Sequence, residues 1–449
     1  MSNIFTQSIS PIFKRQSIDE YFIQPMFVPE DLRNIITVRT DIKGTELLNR
    51  ISAPSMLTKP KTAAGFTPAG SFALTTQDIT VKPMAMEFEQ NARAFYGSIV
   101  QEMLAQGYAQ DDIEQMKSPD VWNKIMLPLI AKAGRQDLYR QMFFGNPVAE
   151  TFTSGVPNAA IDVNYSGYTG FFTNFINDLI GSVIPANQHI AIASSATKKV
   201  QEAIHTYTAG TDTFLNIVIN GTTYAQAYAT SATVTCNNWL TANKALVEAR
   251  CPYNGVIVTN PSAGAIKIVS RIKGQSFTAT SNVTGTGSTA ITGIVAAVNA
   301  GLMASNEADS TLENMLDSAT PEMHDFDLVF MMTASMWRNL VHSLKDRNTV
   351  LGDSTMLNGV KVPTYEGYPI IVRTDWDKWI ATAQAGVNPH RAILTTPKNL
   401  LFATDGTSDS DLIETWYNQE AQMRRYRVQY KAQTAYFHKE LLVLAGFVD

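Results

Sequence analysis

The histidines of this 449-residue chain are spread too widely to predict a metal centre. None lies within four residues of another histidine or of a cysteine, so the short ligand spacings of zinc sites are missing. No Gly-x-Ser-x-Gly elbow occurs, so a hydrolytic serine has no support. The sequence therefore predicts no catalytic residue, no metal site and no cofactor. The six histidines are His189, His205, His324, His342, His390 and His438.

Two short motifs carry partial signals for ligand binding. The stretch GTGST at 285–289 is similar to the end of a phosphate loop, but it lacks the lysine and the leading glycine. It is predicted to be a small, polar linker. The stretch SDSDLIE at 408–414 offers carboxylates for Ca²⁺, but it lacks the glycine and spaced glutamate of a calcium loop. A polar turn is the simpler interpretation.

One stretch interleaves basic and aromatic residues, MRRYRVQYK at 423–431. Arg425 and Arg427 alternate with Tyr426 and its neighbours, which is the period of a strand with one buried face. Bases stack on aromatic side chains in single-strand binders, but here aromatic and charged residues fall on opposite faces. Nucleic-acid contact and an intersubunit charged face both stay open, and the second is favoured.

Composition excludes several classes of protein. The net charge is −5, so no global basic field attracts nucleic acid, and only 17% of residues are charged. A surface poor in charge suits burial against other subunits. Cys236 and Cys251 predict free thiols in a reducing compartment. No signal peptide is predicted, and no apolar stretch approaches the ~18 residues of a membrane span.

The best-formed module carries no chemistry. Residues 327–346, DLVFMMTASMWRNLVHSLKD, predict a buried strand, a sharp turn and a helix, and GYPIIVRTDW at 367–376 predicts a second apolar strand. No nucleophile, metal cluster or phosphate loop lies in it.

The N-terminal part predicts elements that do not support themselves. Residues 1–42 predict an irregular arm that packs on a neighbour. Residues 43–90 predict a long hairpin with a Gly/Pro/Ala-rich tip around 59–72, in which Ile79 and Val81 alternate with polar residues. A lone hairpin buries too little area to be stable, so projection onto a partner is expected.

Two helices are predicted next. One covers EFEQNARAFYGSIVQEMLAQGY at 87–108. The other begins after Ser118-Pro119, is kinked by Pro128, and ends at Gly145 as a C′ residue.

Residues 200–283 predict an inserted β-rich α/β domain. Asn220-Gly221 between two β-prone runs is a strong hairpin signal, and Trp239, Ala242, Leu246 and Ala249 share the spacing of one helix face. Three strands follow. The small polar stretch SNVTGTGSTA at 281–290 predicts a linker, after which a helix resumes at Ile291. The remaining chain, 284–449, predicts α/β structure that ends in a pair of strands, RRYRVQYKAQ and ELLVLAGFV.

The order of these elements resembles that of tailed-bacteriophage major capsid proteins with the Hong Kong 97-type fold. The resemblance includes QMFFGN at the end of the long helix, LNGVKVPTYEGYPIIV, and HRAILTTPKNLLFATD at 390–405. The Thr/Asn-rich style and ITVRTDIKGTELLNRI at 36–51 look most like capsid proteins of Bacteroides and crAss-like phages. The resemblance to Hong Kong 97-type capsid proteins covers most of the chain outside 200–283, and no single motif is diagnostic of it.

This resemblance implies an α+β fold with five parts. Residues 1–42 match the N-terminal arm, 43–90 the extended loop, and 91–199 the spine helix and the first part of the peripheral and axial body; 200–283 is the insertion and 284–449 the rest of both domains. The implied function is self-assembly of homo-pentamers and homo-hexamers into an icosahedral shell around double-stranded DNA. Expected assembly contacts are Lys59, Lys61, Phe66, Arg425 and Arg427.

Further expectations follow from the same resemblance. The chain is synthesised in the host bacterial cytoplasm and ends in the virion capsid, in contact with portal, scaffold and decoration proteins, without a membrane. Non-specific contact with the packaged DNA is compatible with the resemblance. Three alternatives stay open: another virion protein of the head decoration or tail, an enzyme with a dispersed active site, and a nucleic-acid binder that uses the Arg425 and Arg427 face.

Overall fold

The computed structural model has an α+β fold, as predicted. It describes residues 35–39, 42–52, 72–90, 133–134, 136–153, 156–192, 201–250, 255–271, 276–296, 303–346, 354–357, 360–383, 390–404, 413–421 and 423–447. The chain forms two compact units. The first contains the described residues within Val38–Tyr139 and Phe402–Gln433, and the second contains those within Arg140–Leu401 and Thr434–Asp449, with residues 35–37.

The first unit is built on a sheet whose long strand is β22. The neighbours along the sheet are β1, β20, β22 and β21 in that order, and β4 also pairs with β22. Separately, β2 and β3 form a two-stranded antiparallel hairpin, as predicted. The bounds are β1 Ile36–Arg39, β2 Thr45–Ser52, β3 Ala73–Thr80, β4 Lys82–Gln90, β20 Leu400–Thr404, β21 Ile413–Asn418 and β22 Met423–Tyr436.

The strand β22 shows the predicted alternation. Tyr426, Tyr430 and Ala432 are buried, whereas the side chains of Arg425 and Arg427 on the other face are more than a third exposed. The predicted helix at 87–108 is wrong at its start, because residues up to Gln90 belong to strand β4. Its apolar residues recur every second position there, and the backbone pairs with β22 over nine residues. The rest of that prediction lies outside the described residues.

The second unit is built on a seven-stranded sheet with the order β16-β17-β18-β15-β19-β23-β7. The predicted strand–helix–strand module lies at its centre: β15 is buried along its whole length, the helix Ala334–Asp346 follows at once, and β18 pairs parallel with β15. The bounds are β7 His189–Ile190, β15 Val329–Thr333, β16 Ser354–Leu357, β17 Val360–Tyr365, β18 Tyr368–Arg373, β19 Ala392–Thr395 and β23 Leu442–Ala445.

Helices cover one face of this sheet through an apolar core. The core joins Leu312 and Met315 of one helix, Met336 and Leu340 of another, and residues of β15, β19 and β23. Strand β23 is buried along its whole length. It pairs with β19 and β7 and not with β22, so the last two strands do not pair with each other. The helices of this unit besides Ala334–Asp346 are Phe171–Ile180, Glu307–Asp317, Pro321–His324 and Thr374–Ala383, with 3-10 turns at Ala186–Gln188 and Lys439–Leu441. Strands β5 Glu150–Thr153 and β6 Val156–Ile161 form a separate hairpin.

The long predicted helix ends where expected, for a different reason. Residues 136–144 are helical, and the N–H of Gly145 donates to the carbonyl of Gln141 at 2.8 Å. Gly145 does not take the left-handed conformation of a C′ glycine. Instead, a Cβ at this position would collide with the carbonyls of Tyr168 and Gln141, so glycine is required by close backbone approach. Residues 118–132, including the Pro128 kink, lie outside the described residues.

The inserted module has two sheets and a core of its own. One sheet has the order β10-β9-β13 and the other β11-β12-β8-β14, and the helix Ala232–Arg250 packs between them through Cys236, Trp239 and Val247. The bounds are β8 Glu202–Thr208, β9 Asp212–Ile219, β10 Thr222–Ala227, β11 Val256–Thr259, β12 Ala265–Ser270, β13 Ala279–Gly285 and β14 Ser288–Val295.

The Asn220-Gly221 turn is confirmed, since both residues have positive φ, 49° and 80°, as a type I′ hairpin turn requires. The predicted apolar helix face is wrong for three of its four residues. Trp239 is buried, but Leu246 is 61% exposed and Ala242 and Ala249 are exposed too. The buried face is rotated by about one residue, because Cys236 and Val247 continue the line of Trp239.

The predicted linker at 281–290 contains the end of strand β13, a tight turn and the start of strand β14. The two strands pair in different sheets, β13 with β9 and β14 with β8. Strand β14 runs to Val295, where a helix was expected from Ile291. The turn GTGST is rigidly held: Asp212 accepts a hydrogen bond from the N–H of Gly287 at 2.6 Å and from the hydroxyl of Tyr207 at 2.6 Å. Small polar residues are used here because Cβ atoms at Gly285 and Gly287 would collide with neighbouring backbone.

Candidate functional site

The hairpin β2–β3 presents an exposed face that includes large apolar side chains. Thr45, Asn49, Thr76, Asp78 and Thr80 share this face with Leu47 and Leu74. Leu47 is 57% exposed and Leu74 is 64% exposed, and Phe72 just before β3 is 70% exposed. No third strand pairs with the hairpin among the described residues.

The base of the hairpin is anchored, in contrast to its face. Ile79 and Val81 are buried, as the alternation predicted. The N–H of Val81 donates to the carbonyl of Gly44 at 3.1 Å, and the N–H of Ile42 donates to the carbonyl of Thr404 at 3.3 Å. The hairpin therefore has a fixed root and an exposed face on which Leu47 and Leu74 are open to solvent.

Of the predicted assembly residues, Lys59, Lys61 and Phe66 lie outside the described residues. Arg425 and Arg427 lie together on the exposed face of β22. Each is paired across the strand with a glutamate of β4: Arg425 Nε is 3.1 Å from Glu89 Oε2, and Arg427 Nε is 2.7 Å from Glu87 Oε1.

An aromatic residue borders this charged row on the other side. The guanidinium of Arg427 lies 5.3 Å from the ring centre of Trp416 on β21, which is 38% exposed. On the opposite face, Tyr426 stacks on Phe88 with ring centres 4.5 Å apart. Burial raises the pKa of Tyr426, so its hydroxyl stays neutral. The charges of the two arginines and two glutamates balance, which removes the basic field that phosphate binding needs.

Sequence reasoning missed Glu87, Glu89 and Trp416. A signal was present, because Met84, Met86 and Phe88 alternate with Ala85 and the two glutamates. That period of two predicts a strand with an acidic face, and an arginine strand of the same period is its natural partner. The stretch at 87–108 was predicted to be a helix instead.

The strand ends of the parallel pair β15–β18 carry a polar cluster that caps a helix. The N–H groups of Ala334 and Ser335 donate to the carboxylate of Asp377, at 2.8 Å and 3.3 Å to Oδ2. Ser335 Oγ is 2.7 Å from His390 Nδ1. Burial raises the pKa of Asp377, which these hydrogen bonds oppose. The carboxylate of Asp377 therefore satisfies the first two N–H donors of the helix Ala334–Asp346.

Other site expectations have these outcomes. Cys236 is a buried free thiol, as predicted, and Cys251 lies outside the described residues. Within the described part of the chain, no three His, Cys, Asp or Glu side chains converge as metal ligands. None of the helices that the structure describes has both the length and the apolar character that a membrane span needs.

No family model and no curated protein sequence matches the chain. Solved structures resemble it along most of its length. The holo-SrpI encapsulin complex of Synechococcus elongatus PCC 7942 has a TM-score of 0.41 at 8% identity, over 93% of this chain and 86% of that chain. The satellite phage P4 procapsid with its size determination protein has a TM-score of 0.40 at 10% identity, over 92% and 93%.

The capsid of an empty GTA particle is similar to the chain to the same degree. Its TM-score is 0.41 at 10% identity, over 93% of this chain and 96% of that chain. At TM-scores and identities of this size, the likeness alone assigns neither a fold family nor a function to this chain.

Proposed function

We propose that the chain is a major capsid protein with the Hong Kong 97-type fold, which self-assembles into pentamers and hexamers of an icosahedral phage head around double-stranded DNA. The observation that carries the proposal is the hairpin β2–β3. It has a fixed root, no third strand among the described residues, and Leu47, Phe72 and Leu74 exposed.

The energetics of the hairpin support burial against a neighbour. A two-stranded hairpin is marginal on its own in water. Full burial of one leucine or phenylalanine side chain gains about 1.5–3 kcal/mol, so three such side chains give a modest contact for each subunit. Head-to-tail contacts of this kind close into rings, and a shell multiplies each contact by its copy number.

The charged face on β4, β22 and β21 supports an intersubunit role over nucleic-acid binding. Its arginines are already paired with Glu87 and Glu89 in the subunit, so counterion release, the main drive of DNA binding, is small. Non-specific contact with packaged DNA is expected to be weak. The polar cluster at the strand ends caps a helix, which supports a structural and non-enzymatic protein.

The parts of the chain take these roles in the proposal. Residues 1–42 form the arm, and the hairpin within 43–90 forms the extended loop on the neighbouring subunit, while β4 at 82–90 stays in the sheet of its own subunit. Residues 91–199 form the spine helix and the first part of the body. Residues 200–283, together with strand β14 at 288–295, form an insertion on the outer surface, and the rest of 284–449 completes the axial and peripheral domains. The subunit is made in the host cytoplasm, resides in the virion capsid, and meets portal, scaffold and decoration proteins.

Deletion of Lys59–Gly70, the predicted tip of the extended loop, tests the proposal. The shortened chain is expected to remain folded, with an unchanged melting temperature, and to form no shells when expressed with the other head proteins. The unaltered chain and Leu246→Ser, an exposed change on the inserted helix, serve as controls that still assemble. Normal shells from the deletion would contradict the assigned role of the loop.

A further inference from the structure

The outer face of the sheet β10-β9-β13 in the inserted module has no charged side chain at nine adjacent positions. Strand β9 supplies Phe214, Asn216 and Val218 in the middle column, while Leu215, Ile217 and Ile219 between them point into the core. The residues opposite this middle column are Thr280, Asn282 and Thr284 on β13, and Thr223, Ala225 and Ala227 on β10. Phe214 is 44% exposed, so an aromatic ring lies on the solvent-facing side of these nine uncharged positions.

Two amides beside this ring have unused hydrogen-bonding capacity. Asn216 Nδ2 donates to Asn282 Oδ1 at 3.1 Å on the neighbouring strand and lies 3.5 Å from Thr284 Oγ1. The carbonyl oxygen of Asn216 and the amino group of Asn282 take no part in this pairing, and neither has a partner among the described residues. The acceptor of Asn216 and the donor of Asn282 therefore lie on neighbouring strands. Asn216 is two residues from Phe214 on β9.

We propose that this face binds a neutral saccharide. An aromatic ring offers its face to the C–H groups of a sugar, and an adjacent donor and acceptor match two neighbouring hydroxyls. The absence of charge disfavours nucleic acid and anionic lipid, which both need cations. The inference concerns the inserted module alone and does not rest on the proposed shell function.

A glycan array tests this binding directly. The full chain, biotinylated and displayed in many copies on fluorescent beads, is applied to neutral oligosaccharides with hexose, N-acetylhexosamine and deoxyhexose ends, and to sialylated and sulfated ones. Multivalent display raises weak single-site affinity into a measurable range and requires no shell assembly. Retention on a subset of the neutral oligosaccharides is expected.

Three variants locate the site. Phe214→Ala is expected to lower binding about tenfold, as the loss of one aromatic contact does. Asn282→Ala, also exposed, is expected to act in the same direction, while Leu246→Ala on the exposed helix leaves binding unchanged. Unaltered protection of the Cys236 thiol shows that each variant is folded. The proposal is overturned if no neutral oligosaccharide, or only charged ones, retain the beads. It is also overturned if Leu246→Ala loses as much binding as Phe214→Ala. A changed oligomeric mass of Phe214→Ala would mark the face as a self-association surface and overturn it too.

Discussion

Arg427 Nε lies 2.7 Å from Glu87 Oε1, which pairs two residues 340 positions apart in the chain. Two positions along, Arg425 repeats the contact with Glu89 at 3.1 Å. The two pairs fix the register of β4 against β22 from outside, while Phe88 and Tyr426 stack on the opposite face. An N-terminal and a C-terminal strand are thus held together by charge on one face and by aromatic packing on the other.

The free energy in this ion pair is measurable by a double-mutant cycle. An exposed pair contributes about 0.2–1 kcal/mol, and a guanidinium over an exposed indole about 0.5–1 kcal/mol. Arg427→Ala removes both contacts and is therefore expected to lower the free energy of unfolding by about 1 kcal/mol in total. Glu87→Ala removes only the ion pair and is expected to lower it less. Urea denaturation of both single variants and the double variant gives the coupling. A coupling of zero at low salt would show that the pair is not formed.

The inserted module is expected to lose stability as the pH falls below about 6.5. Burial lowers the pKa of His205 to about 4, and neither ring nitrogen has a partner among the described residues. Its neighbours on the flanking strands are Ile266 and Ile291, and Tyr207 shares its face. Because the unfolded chain takes up a proton near pH 6.5 and the folded chain does not, about 2–3 kcal/mol is lost at about pH 4.5.

Labelling of Cys236 in a Cys251→Ser background reports this opening. Burial raises the pKa of the Cys236 thiol to about 11, so it reacts only when the module opens. Labelling corrected for the intrinsic pH dependence of a free thiol is expected to rise from pH 7 to 4.5. The control His205→Leu removes the titrating group, and its corrected labelling is expected to be flat. Equal slopes in the two proteins would refute the role of His205.

Gly145 is expected to tolerate no side chain. A Cβ there would meet the carbonyl oxygens of Tyr168 and Gln141, and neither backbone atom can move without breaking the Gly145 turn. Gly145→Ala is expected to lower the free energy of unfolding by about 2 kcal/mol or more, in the range of strained backbone substitutions. Gly44→Ala, where nothing lies within 4 Å, is the matched control with no loss. Thermal melts that coincide for both variants would contradict the close approach.

The exposed face of the hairpin separates folding from assembly. The double variant Leu47→Ser and Leu74→Ser changes side chains that are already exposed, so the unfolding free energy is expected to stay within about 0.5 kcal/mol. Assembly is expected to fail or to need a much higher subunit concentration, because the partner loses apolar contact. Sedimentation of assembly reactions over a concentration series measures this. Leu246→Ser is the control on the inserted helix, and equal assembly of all three proteins would exclude the hairpin face.

Local patterns predicted the parts of the fold in which burial follows sequence period. The alternation of β22, the Asn220-Gly221 turn and the module of β15 and the helix Ala334–Asp346 follow from a few neighbouring residues. The pairing partners of these elements do not follow from neighbouring residues. Strand order depends on contacts across hundreds of positions, such as the one between Glu87 and Arg427.

The errors have physical causes of the same kind. The last four residues of β4, 87–90, were interpreted as the start of a helix, since their acidic side chains are paired only with the distant arginines of β22. The turn from β13 to β14 was interpreted as part of a flexible linker, since its glycines are required by crowding around Asp212 and resemble those of a linker. The exposed Leu246 fits an apolar helix face by spacing, and only the position of Trp239 in the core decides the rotation.

The central claim is tested most directly by negative-stain electron microscopy of the purified full chain, produced together with the other head proteins. Light scattering of the same sample measures the mass of the particles. Closed shells, or rings of five and six subunits with the corresponding mass, are the result that a capsid subunit predicts. A uniform monomer or small oligomer under these conditions contradicts it.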